Sequence, residues 1–136
     1  MKEAGEQAVC RLAKNERISS KLLIDQLFGG GGSRSMAAFP IRMVYLTVSR
    51  AADWPPVKIM VSVPKRCLKH AVERNRVKRQ LREAYRQNKQ LLWQRMGDNS
   101  ERTLLLAFIW TDSSLHETAQ VNRKMRNLLT RVSEKL

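Results

Sequence analysis

The order of periodicities along the chain predicts an α+β fold, an α/β layer sandwich of helix, two or three strands, helix, strand and helix around one mostly antiparallel sheet. Three observations carry this. Over residues 72–86 and just beyond, Val77, Leu81, Ala84, Tyr85, Asn88 and Leu92 recur every three or four residues, the spacing of one helical stripe. Before it lie two β-branched, apolar runs, 39–48 and 57–63, and after it an uninterrupted apolar run, 103–109. Near the end, Leu115, Ala119, Val121, Met125, Leu128, Leu129 and Val132 return to helical spacing.

Taken in order, residues 1–9 read as a polar, disordered tail. A first helix is expected over about 20–28, with Ser19 or Ser20 as cap and Leu22, Leu23, Ile24 and Leu27 as apolar positions. Four successive glycines from Gly29 to Gly32 stop it, and residues 29–35 read as a flexible Gly-rich loop. No Gly-Lys-Ser/Thr follows, so this is not a phosphate-binding loop. A short strand over 34–38 can precede the long one at 39–48. Asp53-Trp54-Pro55-Pro56 is a turn signal, which makes 57–63 the expected antiparallel neighbour of 39–48.

Residues 64–70 form a basic connection into the central helix, expected to run unbroken from 71 to about 95 and to stop at Met96-Gly97. Run 103–109 shows no alternation and so reads as an interior strand covered on both faces. Thr111 to Ser114 offers caps for the last helix.

At 136 residues the chain suits a single domain with a sizeable core. Its 26 basic and 12 acidic residues give a net charge of +14, a field that favours polyanions. No apolar run approaches the roughly 20 residues of a membrane-spanning helix, and the first residues lack a signal-peptide core. A cytoplasmic protein is expected. Cys10 and Cys67 have no framework of further cysteines, and His70 and His116 stand apart from other metal ligands.

The charge is concentrated on the central helix. Between Lys65 and Arg95, eleven Lys or Arg stand against two acids, Glu73 and Glu83. Positions 74, 78, 82 and 86 make an unbroken basic ladder at i,i+4, where like charges repel by a few tenths of a kcal/mol per pair, roughly. At about 100° per residue, Asn75, Lys78, Arg79, Arg82, Arg86 and Lys89 share an arc beside the apolar stripe. Binding of a nucleic acid relieves that repulsion. Glu83, among Arg79, Arg82 and Arg86, is explained by a local ion pair.

The run Arg74-Asn75-Arg76, then Lys78-Arg79, Arg82-Glu83 and Arg86, placed after Val61-Ser62-Val63-Pro64-Lys65-Arg66, resembles the signature of the bacterial ribonuclease P protein component. The resemblance covers about residues 10–131, and its specific part is 61–86. It implies a ribosomal protein S5 domain 2-like fold with a left-handed βαβ crossover, although such crossovers are right-handed in about 98% of cases. It also implies a subunit that binds the catalytic RNA of ribonuclease P and the 5′ leader of precursor tRNA. That RNA hydrolyses the leader with Mg2+, held mainly by RNA and substrate. The resemblance assigns no organic cofactor and no obligate protein partner. Residues matching the RNA-binding motif are Lys65, Arg66, Lys69, Arg74, Asn75, Arg76, Lys78, Arg79, Arg82 and Arg86. Arg11, Lys14, Ile24, Phe28 and Tyr45 match the leader cleft, with Ile24 standing where the family has an aromatic.

Chemistry on the chain itself is not expected. No Ser/His/Asp or Cys/His constellation has a recognisable local context, and Asp25, Asp53, Asp98, Asp112 and Glu117 form no metal cluster. A ribosomal or other structured-RNA-binding protein would share the charge and layers without needing this motif spacing. A DNA-binding regulator would need a helix and short turn before its recognition helix, whereas a strand and basic loop stand there.

Overall fold

The computed structural model describes residues 14–29, 31–97 and 101–136. After a short 3-10 turn at Lys14–Glu16 come α1 (Lys21–Gly29), β1 (Arg34–Ala38), β2 (Ile41–Ser49), β3 (Val57–Ser62), α2 (Ala71–Asn88), α3 (Gln90–Gly97), β4 (Arg102–Trp110) and α4 (Thr118–Lys135). The expected 1–9 tail lies outside the described residues.

The sheet order is β1-β2-β4-β3. β1 pairs antiparallel with β2, and β2 antiparallel with β4. β3 pairs with β4, in parallel. The expectation that 57–63 would neighbour 39–48 is therefore wrong: β4 inserts between them. The turn at Asp53, which adopts φ 68, reverses the chain but does not make a hairpin. Run length and alternation report which residues a strand buries, not which strand lies beside it. β4, in the interior, is buried from Thr103 to Phe108, in keeping with its continuous apolar run.

The pleat divides the side chains into two clusters. Ile41, Met43 and Tyr45 of β2, Val57 and Ile59 of β3, and Leu104, Leu106, Phe108 and Trp110 of β4 pack against α2, α3 and α4. Val44, Leu105 and Ala107 meet Leu23 and Leu27 of α1 on the other face. One short helix cannot cover that second face, and Leu46, Met60, Ser62 and Ile109 stay half-buried on it.

Several local expectations change. Arg34 and Ser35 are already paired with Tyr45 and Val44, so the glycine loop is shorter than 29–35. The central helix breaks at Lys89, where Leu92 N–H donates to Lys89 O at 3.0 Å, a tightened three-residue turn. α4 begins only at Thr118, and its cap residue Glu117 makes no side-chain capping bond. Asp112, an expected cap, instead meets His116 Nε2 at 2.6 Å. α2 is tied to α4 by Asn88, which donates to Asn122 Oδ1 at 2.7 Å, and by Gln80, which donates to His116 O and Thr118 Oγ1 at 3.1 Å.

Candidate nucleic-acid interface

α2 buries Val77, Gln80, Leu81, Ala84, Tyr85 and Asn88, the stripe set by its spacing. The helical pitch then carries Lys78, Arg82, Asn75, Arg86 and Arg79 onto one flank and away from the core, with Arg76 on the opposite flank. These cations are not equivalent. Arg74 Nη1 donates to Lys69 O at 2.6 Å and to Leu68 O at 3.0 Å, so it braces the loop that enters the helix. Buried Leu68 anchors the same loop, leaving Lys65, Arg66, Lys69 and His70 exposed. Arg86 Nε donates to Glu83 Oε2 at 2.9 Å. That bond is the main reason the Glu83 carboxyl is held below its ordinary pKa. Arg76, Lys78 and Arg79 make no hydrogen bond or ion pair among the described residues, so their charge stays available to a ligand.

Lys89 departs from the expected cationic arc. Its Nζ lies 3.0 Å from Glu16 Oε1, and the side chains of Lys89 and Glu16 are 1% and 2% exposed. The Lys89 ammonium also sits 4.7 Å from the centre of the Trp93 ring, whose Nε1 donates to Tyr85 Oη at 3.1 Å. Burial pushes the Tyr85 hydroxyl pKa up, against the lowering effect of that bond.

Glu16 belongs to a segment that wraps the free edge of β3. Arg17 forms a parallel bridge with Ile59, and Ile18 N–H donates to Ile59 O at 2.7 Å. One residue on, Ile18 joins the cluster under α1. The segment thus passes from the helical layer to the half-open sheet face and covers an edge that would otherwise present unpaired backbone. Where it crosses, Arg17, Ile18, Ser19, Ile59, Met60, Val61 and Arg82 line a cavity of about 240 Å³. Burial, and next the Arg17 guanidinium, lower the Arg82 pKa.

On α1, Ile24 is half-buried and Phe28 is 49% exposed, one turn apart on the same flank as their spacing requires. Lys14 is exposed in the 3-10 turn, and Arg11 lies outside the described residues. Tyr45 does not join them. Its odd position in β2 places it on the opposite face of the sheet, in the cluster under α2 to α4. There its edge borders a groove of about 720 Å³ with Arg34, Arg131, Glu134 and Lys135. The apolar residues on the α1 face of β2 are Val44, Leu46 and Val48.

Two cations near the half-open sheet face carry no sequence signal. Arg17 is a lone basic residue in an irregular segment. Lys58 looks like the outward position of a strand, yet it is buried, donates to Asn15 O at 2.8 Å and lies 5.2 Å from the Trp54 ring centre. Burial lowers the Lys58 pKa. Among the described residues no three His, Cys, Asp or Glu side chains are grouped to hold a metal ion. No described helix is long and apolar enough to cross a membrane.

The family model for ribonuclease P matches residues 12–133. The chain is 37% identical over 124 residues to the ribonuclease P protein component of Porphyromonas gingivalis, covering 90% of this chain and 86% of that one. It is 28% identical over 136 residues to the ribonuclease P protein component of Chlorobaculum tepidum, covering 92% and 87%. The RNase P protein from Thermotoga maritima superposes with a TM-score of 0.60 at 20% identity, over 85% of this chain and 97% of that one. A Staphylococcus aureus RNase P protein mutant with defective mRNA degradation activity gives 0.63 at 17% identity, over 96% and 93%. At those identities the structural likeness speaks to the fold. With the family model spanning nearly the whole chain, this protein belongs to the ribonuclease P protein component family.

Proposed function

We propose that this chain is the protein subunit of ribonuclease P, the endoribonuclease that removes 5′ leaders from precursor tRNA. In this reading the basic flank of α2 and the loop 65–70 bind the catalytic RNA. The single observation that carries it is the flank itself: Asn75, Lys78, Arg79 and Arg82 are held off the core beside a half-open sheet face, and among the described residues no carboxylate pairs with the three cations. Guanidinium forks suit phosphate oxygens, and structured RNA is read largely through phosphates and unpaired bases.

The leader would lie along the α1 face of the sheet, with Phe28 as an exposed ring on which a base can stack. In this reading Mg2+ is left to the RNA subunit and substrate; among the described residues no three His, Cys, Asp or Glu side chains are grouped. This chain's part is to bring two polyanions together by neutralising phosphates.

The test is reconstitution with the RNA subunit of the same source and an assay of precursor-tRNA cleavage at low magnesium. The expected result is correct 5′ cleavage that needs both components, and none by RNA-free protein. Failure of the protein to stimulate the RNA, with tight binding to ribosomal RNA instead, would overturn the proposal.

A further inference from the structure

We propose that Arg17 and Arg82 together clamp one phosphodiester of an RNA strand at the edge of β3, where the basic flank of α2 meets the half-open sheet face. The inference rests on the RNA-binding reading above and adds a specific phosphate site to it. Both side chains line the same cavity of about 240 Å³, and among the described residues no carboxylate lines it with them. Neither guanidinium makes a hydrogen bond or ion pair among the described residues. The adjacent acid, Glu16, is turned inward to Lys89.

Two like charges held at one cavity repel in the free protein, and an anion between them converts that repulsion into two charge-assisted hydrogen bonds. The cavity is also shaped for more than an ion. Ser19 borders it together with the apolar residues Ile18, Ile59, Met60 and Val61, a lining that suits a ribose or base beside the phosphate.

The position of Arg17 is not left to a flexible tail. Its backbone bridges Ile59, the residue before it is pinned by the buried pair with Lys89, and the residue after it donates to Ile59 O. Lys89, which caps the end of α2, lies two helical turns beyond Arg82 on the same line, so the contact that pins Glu16 also sets Arg17 beside Arg82. Preorganisation of this kind lowers the cost of binding.

The phosphodiester can belong to the precursor leader or to the catalytic RNA, and the experiment separates the two. Holoenzymes are reconstituted with wild type, Arg17→Gln, Arg82→Gln and the double variant. Affinity is measured across salt for precursors with one-nucleotide and longer leaders, and separately for protein binding to the catalytic RNA. Each single variant is expected to weaken one of these by about tenfold. The double variant should lose little beyond either single, and the log K against log salt slope should fall by about one unit in total, since one phosphate is released. Loss confined to long-leader precursors assigns the phosphate to the leader, and loss in the protein–RNA arm assigns it to the catalytic RNA. Thermal unfolding of Arg17→Gln should match or exceed wild type, because a like-charge contact is removed.

Arg17→Gln binding like wild type in both arms would overturn the clamp. So would multiplicative losses with a slope change of about two units, which would mean two separate phosphates. Failure of the wild-type protein to stimulate cleavage would count against the RNA-binding reading itself.

Discussion

Lys89 Nζ sits 3.0 Å from Glu16 Oε1 and 3.3 Å from Oε2, a contact that joins the N-terminal segment to the α2–α3 junction across 73 residues of chain. Both side chains are enclosed, so each desolvated charge depends on the other. Breaking such a pair from one side strands a buried ion, at a cost of roughly 3–5 kcal/mol. Lys89→Ala is therefore expected to lower the urea midpoint strongly, and Glu16→Gln likewise. Replacing both together, Glu16→Leu with Lys89→Met, should restore most of the loss. Equal losses in the single and double variants would show that shape, and not charge, holds the junction.

Arg74 and Arg76 flank Asn75 but do different work. Arg74 donates to two loop carbonyls, whereas Arg76 is exposed and makes no hydrogen bond or ion pair among the described residues. Arg74→Ala leaves those acceptors without their donor and should reduce stability by about 1 kcal/mol. It should also raise hydrogen exchange in residues 65–70. Arg76→Ala should leave both unchanged. A stability loss from Arg76→Ala as large as from Arg74→Ala would contradict the assignment.

Arg79 tests the open flank directly. It faces solvent without a partner among the described residues, so Arg79→Ala should leave the unfolding curve in place. Binding to the catalytic RNA should weaken, with the salt slope reduced by about one unit if Arg79 neutralises a phosphate. Weaker binding at an unchanged slope would mean a contact that is not mainly ionic.

Asp112 gives a pH-dependent expectation. Its carboxyl is held below the ordinary value of 3.8 chiefly by the hydrogen bond with His116. A carboxyl depressed in the folded state adds stability above its unfolded pKa and loses it as pH falls through the folded one. Between pH 5 and pH 3, Asp112→Asn should therefore lose less stability than wild type. Parallel losses would show that the pair does not act in the acid limb.

Much of this architecture is written in the periodicity, and its omissions have definite causes. The stripe Val77, Leu81, Ala84, Tyr85 and Asn88 is buried as spaced, and the apolar run of β4 lies in the sheet interior. Spacing along one strand carries no information about its neighbours, so the insertion of β4 between β2 and β3 left no local mark. The family resemblance sets Tyr45 with Phe28 in the leader cleft, but position parity in β2 puts it on the other face. Lys89 has the spacing of a solvent-facing cation and is neutralised by an acid distant in sequence. Arg17 gains its interest only from Arg82 beside it. Local pattern captured the faces of elements, and long-range pairing decided which charges remain open.

The last expectation concerns α1, where an aliphatic residue stands beside an exposed ring. Ile24 is half-buried against the cluster of Ile18, Leu23 and Leu27, while Phe28 is half-exposed one turn away. Base–aromatic stacking contributes roughly 1–3 kcal/mol per base, so Phe28→Ala should reduce the affinity gained by lengthening a leader from one to several nucleotides. Ile24→Phe adds a second platform on the same flank and should increase that gain. Tyr45→Leu, on the far face, should leave it unchanged. Leaderless mature tRNA should be indifferent to all three substitutions. A shift in mature-tRNA affinity as large as that for long-leader precursors would mean Ile24 acts through the core, and this flank of α1 would not be where the leader lies.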